Sequence, residues 1–402
     1  MTDLGQELRK DVMSVKSKEM LAGCIGYFWP SDDGVINTEA EPERGYIRTF
    51  EDGTISLDTL NENLDKEHWY DNEDAQFPQA IAGATEHGGI ALLNVFHRGA
   101  NTAYGGTKAS IHHYKARSAI IGMDFTTTRS TSITEGRVFF PSAARWAGIK
   151  TSEEIPTFDE DRRYTGFTLN VTQAPVQEVA VSEEITLFIT SHWEFTGPEG
   201  QRTVRAPLEV GCRSTKPLHL GSHLGPLTRI QDLINLAFQS FTPASGGRVI
   251  MADDPTPAET PHLWNSNLMT TPAFAVNSKP SSVPLFSLSA LGGVDSLPRW
   301  IQVCKEHPRS VGPIINHFRR GSLSPFSRIL EVGAGIENWV NSHARTSSWA
   351  KDKTVTHALA KHIGDPFESW VGGDIEKWAD IFWDSYNCTK HQPSYAPDPR
   401  DV

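Results

Sequence analysis

Cysteine is scarce in these 402 residues: Cys24, Cys212, Cys304 and Cys388 are scattered, with no Cys-x-x-Cys pair. That spacing argues against a structural zinc site and against a disulfide framework. Long apolar runs are missing too. Ile90–Phe96 is typical of the best of them and falls far short of the roughly 20 residues of a membrane span, so no membrane association is expected. The N-terminus is acidic and lacks a basic-then-apolar leader, which leaves the cytoplasm as the expected location. Gly99–Lys108 has glycines and a lysine but no Gly-Lys-Ser/Thr ending, so it is not a phosphate-binding loop. No Gly-x-Ser-x-Gly elbow and no internal repeat occur.

Aromatic residues, by contrast, are plentiful. With 11 Trp, 19 Phe and 38% hydrophobic residues, the chain is not disordered, and its length suits two or three domains. The net charge of −12 is unevenly spread. Residues 1–74 hold 18 acids against 7 bases, whereas Arg299 to Lys361 hold ten Lys/Arg against Glu306, Glu331, Glu337 and Asp352. The acidic total disfavours indiscriminate nucleic-acid binding, yet a local basic lobe still gathers phosphates. A solvated helical surface accounts for such a bias equally well.

The first two-thirds read as strands. Ile90–His97, Ala119–Phe125, Gly136–Phe140, Tyr164–Thr172, Ile185–Phe195 and Val204–Arg213 are short and rich in β-branched and aromatic residues, between turn signals. The period then changes to that of a helix. Leu227, Ile230, Leu233, Ile234, Ala237, Phe238 and Phe241 predict an amphipathic helix over Pro226–Phe241, packed on the sheet. Val249 and Ile250 begin a closing strand. Residues 253–297, crowded with Pro and Ser, read as a connecting segment between a β-rich domain over 1–252 and a helical bundle over 298–402 with a short Pro-containing tail. The fold class is therefore α+β: a large β-rich N-terminal domain followed by a small C-terminal α-helical bundle.

Several local patterns invite a chemical reading. Ile329-Leu330-Glu331-Val332-Gly333-Ala334-Gly335 is similar to the glycine loop of class I methyltransferases, but Glu337 stands where the third glycine belongs. Only 67 residues follow Gly335, too few for the remaining strand–helix units of such a sheet. A close helix crossing explains both glycines better. The adjacent His112 and His113 point to opposite faces of a strand, which is poor metal geometry, and His357 and His362 do not share a helix face well. Near the C-terminus, Ile375, Trp378, Ala379, Phe382 and Tyr386 form an apolar stripe that Asp374 caps. Asp380, Asp384, Asn387 and His391 line a separate polar stripe, where an imidazole beside carboxylates suits general acid–base work. A solvated helix face is the commoner origin of such a stripe. No residue set completes a metal shell.

Phe326–Trp339, with Glu337 near its end, followed by Trp378–His391, resembles the HEPN domain of ApeA-like antiphage defence proteins. HEPN endoribonucleases carry an Arg, often a following Asn or other polar residue, and a His about one turn later. Here the string is Tyr386-Asn387-Cys388-Thr389-Lys390-His391, so Asn387 and His391 match and Tyr386 stands in the Arg position. The segment Leu21–Pro30, and the strands from there to the Leu227–Phe241 helix, likewise resemble the β-rich ApeA N-terminal domain.

The resemblance implies an abortive-infection protein whose HEPN bundle cuts RNA, with transfer RNA one candidate substrate, without metal or cofactor and on a phage-derived trigger. It implies His391, Asn387 and Asp384 as catalytic groups and Lys390 or Arg345 as substitutes for the missing Arg in binding phosphate. It also implies a homodimer or larger homo-oligomer, because such sites form where two bundles meet. The alternative is a catalytically degenerate HEPN protein used for recognition and oligomerisation. Residues 386 and 391 are about 140° apart on a helix, so Tyr386 is expected to pack inside the bundle while Asn387 and His391 share a face.

Overall fold

The computed structural model describes residues 15–31, 33–61, 78–101, 110–123, 129–196, 203–252, 261–272, 283–321, 324–343 and 354–391. The chain divides into two compact units, residues 1–273 with 280–298, and residues 274–279 with 299–402.

Closure of a sheet organises the first unit. Cys24–Ser31 (β1), Glu43–Thr49 (β2), Ile55–Asn61 (β3), Ala80–Thr85 (β4), Gly88–Asn101 (β5) and Ser110–Met123 (β6) lie in the order β6-β3-β2-β1-β4-β5, all antiparallel. β5 pairs back onto β6 along its whole length, so the six strands close into a barrel with no free edge at the seam. Alternation fills the interior: Cys24 and Phe28 of β1 are buried, while Ile25 and Tyr27 between them are exposed. Ile47, Ile55, Leu57, Ile81, Ile90 and Leu92 complete the core with Phe28, and the helix Val15–Ala22 (α1) adds Met20 and Leu21.

Phe28 has room because glycine faces it. A Cβ on Gly83 of β4 would stand 2.5 Å from the Phe28 ring. Gly83→Ala is therefore expected to destabilise the fold by about 1–3 kcal/mol through overpacking. The measurement is the urea midpoint, which should fall at constant slope. An unchanged midpoint would mean that the ring relaxes without cost.

Six more strands extend the sheet: Ile133–Phe140 (β7), Gln177–Ala180 (β8), Ile185–Ser191 (β9), Leu208–Leu218 (β10), Gly246–Met251 (β11) and His262–Asn265 (β12). Their order is β8-β9-β10-β7-β11-β12, and β12 joins β6. β6 serves both halves because Ser110–Ala116 pair with β3 while Ser118–Ile121 pair with β12. Part of the stretch read as a connecting segment is thus a sheet strand, since β12 lies within it. The helix Leu220–Phe238 (α2) packs on β10 and β7. It starts before Pro226, where His219 accepts a hydrogen bond from the Gly221 amide, and Pro226 sits inside it. The proline forfeits one backbone bond, which the buried apolar face of the helix outweighs.

The regular elements described in the second unit are all helices: Leu297–Glu306 (α3, whose first two residues belong to the first unit), Pro308–Arg320 (α4), Pro325–His343 (α5), Thr354–Ile363 (α6), Asp365–Trp370 (α7) and Ile375–His391 (α8). The methyltransferase alternative falls here. Gly333 and Gly335 lie in the middle of α5, with no strand before them and no loop to approach a cofactor. Both glycines serve helix packing. A Cβ at Gly333 would meet the Tyr386 ring at 2.4 Å, and one at Gly335 would stand 3.1 Å from the Ser310 carbonyl oxygen of α4.

Candidate functional site

α8 is unbroken from Ile375 to His391, and Asp374 caps its start by accepting the Lys377 amide at 2.9 Å. One side buries Ala379, Phe382, Trp383 and Tyr386, with Trp383 and Tyr386 packed on Ile329, Leu330, Ile336 and Val340 of α5. Tyr386 is only 2% exposed, so its position in the string is a core position. Asn387 is half-buried, and Asp384 and His391 are exposed. A four-residue step brings Asn387 and His391 onto one face, one turn apart. Asp384 lies seven residues before His391, about 10 Å along the axis, beyond direct hydrogen-bond reach within one helix. Arg345 lies outside the described residues.

Lys390 turns back toward the bundle. Its Nζ donates to the Tyr386 hydroxyl at 3.3 Å and lies 3.8 Å from a Glu337 carboxylate oxygen. The Tyr386 bond and the Glu337 charge hold the Lys390 ammonium above its ordinary pKa. Burial pushes the Tyr386 hydroxyl up as well. Glu337 also borders a groove between α4 and α5, about 420 Å³ in volume, where Arg309, Asn316, Arg320 and Asn338 stand. The groove escapes a sequence reading, although the basic excess of this region was its signal. Which of those cations share a wall depends on how α4 lies on α5.

The first unit carries a second charged centre, this one structural. Glu135 and Arg137 of β7 and Glu209 and Arg213 of β10 lie on one face of the sheet. The Glu135 and Glu209 side chains are 5% and 2% exposed. Arg137 bonds both carboxylates, at 2.6 Å to Glu209, and Arg213 Nε donates to Glu135 at 2.9 Å. His192 Nδ1 lies 2.9 Å from the other Glu209 oxygen. Burial pushes the Glu209 carboxyl up, but His192 and Arg137 together outweigh it and hold the pKa below the ordinary glutamate range. Phe188 lies over Gly211 beneath both guanidinium groups, 5.6 Å from Arg137 and 5.2 Å from Arg213. Each buried carboxylate thus has cationic partners.

A closed six-stranded barrel extended by six further strands, with α2 on the extension, spans the stretch between Cys24 and Asn265. The family described as ApeA N-terminal domain 1 has a model that matches residues 23–300. The chain belongs to that family. ApeA domains place it among antiphage defence proteins. No curated protein and no solved structure matches the chain. The match to the ApeA domain ends near the start of α3, so the identity of the helical unit rests on its own residues.

Among the described residues no three His, Cys, Asp or Glu side chains gather as a metal site. His112 is buried inside the barrel, with Nδ1 3.3 Å from the Tyr114 hydroxyl, and His113 points outward to Asp58 at 2.7 Å. Opposite faces of β6 separate them, as alternation requires. Among the described residues no helix is long and apolar enough to cross a membrane.

Proposed function

We propose that this chain is an abortive-infection defence protein whose helical unit is a HEPN-type endoribonuclease, acting on cellular RNA in the cytoplasm without metal or cofactor. The observation that supports it most is the division of α8: Tyr386 in the core, Asn387 and His391 one turn apart on another face. In this reading His391 removes the proton from a ribose 2′-hydroxyl as its oxygen attacks the adjacent phosphorus. The 5′-oxygen leaves as the His391 imidazolium hands it that proton, and the product ends in a 2′,3′-cyclic phosphate. Asn387 positions the phosphate or the imidazole. The groove between α4 and α5 gives the RNA backbone a path past Arg309 and Arg320, with Lys390 and Arg345 as further phosphate contacts.

Two bundles complete the site, because one small bundle offers few groups to hold a phosphate. Asp384 reaches an imidazole only across that dimer. Transfer RNA is a candidate substrate, and a phage-derived molecule is the trigger. The test is incubation of the purified chain with RNA in EDTA, where fragments with cyclic phosphate ends are expected. A second reading, a degenerate HEPN bundle used for assembly, draws on Tyr386 filling the core in place of the Arg. Intact RNA in that assay, from protein that still protects cells from phage, would favour it.

A further inference from the structure

We infer that the outer face of the barrel binds single-stranded nucleic acid, independently of any cleavage by the helical unit. Arg48 of β2, Ser56 of β3, Lys115 of β6 and Phe96 of β5 are successive cross-strand neighbours, so they form one outward row. Phe50 follows β2 just beyond the row. The Arg48 guanidinium lies 5.3 Å and the Lys115 ammonium 4.9 Å from its ring centre. At the other end of the row, Arg117 lies 5.8 Å from the ring of Phe96, which is 53% exposed. A cleft of about 370 Å³ runs beside the row, lined by Arg48, Phe50, Arg98, Lys115, His113 and Asp58 among others.

The way these cations are held favours this occupant. A carboxylate partner would order a guanidinium and cancel its charge. A phenyl ring orders the cation while leaving its charge and its N–H donors available to a phosphate. Among the described residues, the cleft lining brings in Asp58, which His113 contacts at 2.7 Å, and Lys115 interacts with Asp52. Arg48, Arg98, Lys115 and Arg117 thus gather around two aromatic rings in a chain whose net charge is −12. Phe96 and the exposed Tyr46 and Tyr27 on the same outward side give stacking surfaces for unpaired bases. Cations tracking a backbone beside exposed rings form the usual chemistry of single-strand binding without sequence preference. A duplex keeps its bases stacked and leaves those rings unused.

The probe is a fluorescent 20-residue oligothymidylate, which has no 2′-hydroxyl and so cannot be cut by the proposed chemistry. With the full chain, anisotropy is expected to report binding whose logarithm falls with log salt at a slope of about −2 to −3, as for three or four phosphate contacts. Arg48→Glu with Lys115→Glu should weaken binding about tenfold or more, and Arg48→Lys with Lys115→Arg should retain it. Phe96→Ala should weaken it without changing the salt slope. All these sites are on the surface, and circular dichroism melting verifies the fold. Three results would each overturn the inference: no binding at low salt, binding indifferent to the charge reversals, or equal affinity for a duplex of the same length. Loss of phage protection in the reversal variant without any oligonucleotide binding would assign the face to a protein partner instead.

Discussion

His391→Ala is expected to lower RNA cleavage by about 10²–10⁴-fold, the usual contribution of a positioned acid or base. His391 is exposed on the last turn of α8, so the melting midpoint should stay unchanged and separate lost chemistry from lost fold. Asn387→Ala should cost less, about tenfold, because it removes a positioning hydrogen bond rather than the proton carrier. Cleavage that persists in His391→Ala would end the assignment. Tyr386→Arg is the informative contrast. The resemblance alone suggests that arginine would restore a phosphate clamp there. The ring, however, packs on Gly333 and the α5 core, so an arginine would bury its charge among Ile329, Leu330 and Ile336. Lower stability with no gain in cleavage is the expected outcome.

Arg137→Met is expected to destabilise the N-terminal unit by about 3–5 kcal/mol, the cost of leaving buried carboxylates without their shared cation. The measurement is the denaturant midpoint at neutral pH. A loss below about 1 kcal/mol would mean that Arg213 and His192 suffice. The pH dependence supplies an independent reading. The Glu209 pKa is depressed by folding, so its stabilisation is fully present above the ordinary glutamate range and is lost as pH falls through the lower folded value. Melting temperature should therefore drop on acidification. Glu209→Gln should start lower at neutral pH and show a shallower acid limb.

Features that depend on near neighbours were legible in the residues alone. Ile185, Leu187 and Ile189 alternate with Thr186, Phe188 and Thr190, and β9 is there. The apolar stripe of α8 put Tyr386 inside and Asn387 and His391 on another face, because a helix sets those angles whatever it packs against. Other elements escaped for physical reasons. β1 carries Gly26 and Pro30 and exposes Ile25 and Tyr27, so its strand character shows only when Phe28 is seen over Gly83. α2 extends past a proline because tertiary burial outweighs one lost bond. Closure of the barrel, the Glu337–Lys390 pair and the Arg137 network emerge only when distant strands and helices are brought together. Arg137 and Glu209 are 72 residues apart, and Lys115 meets Phe50 from a strand far along the chain. Register and closure create such pairs, and neither is written in the local pattern of residues that a closing sheet brings together.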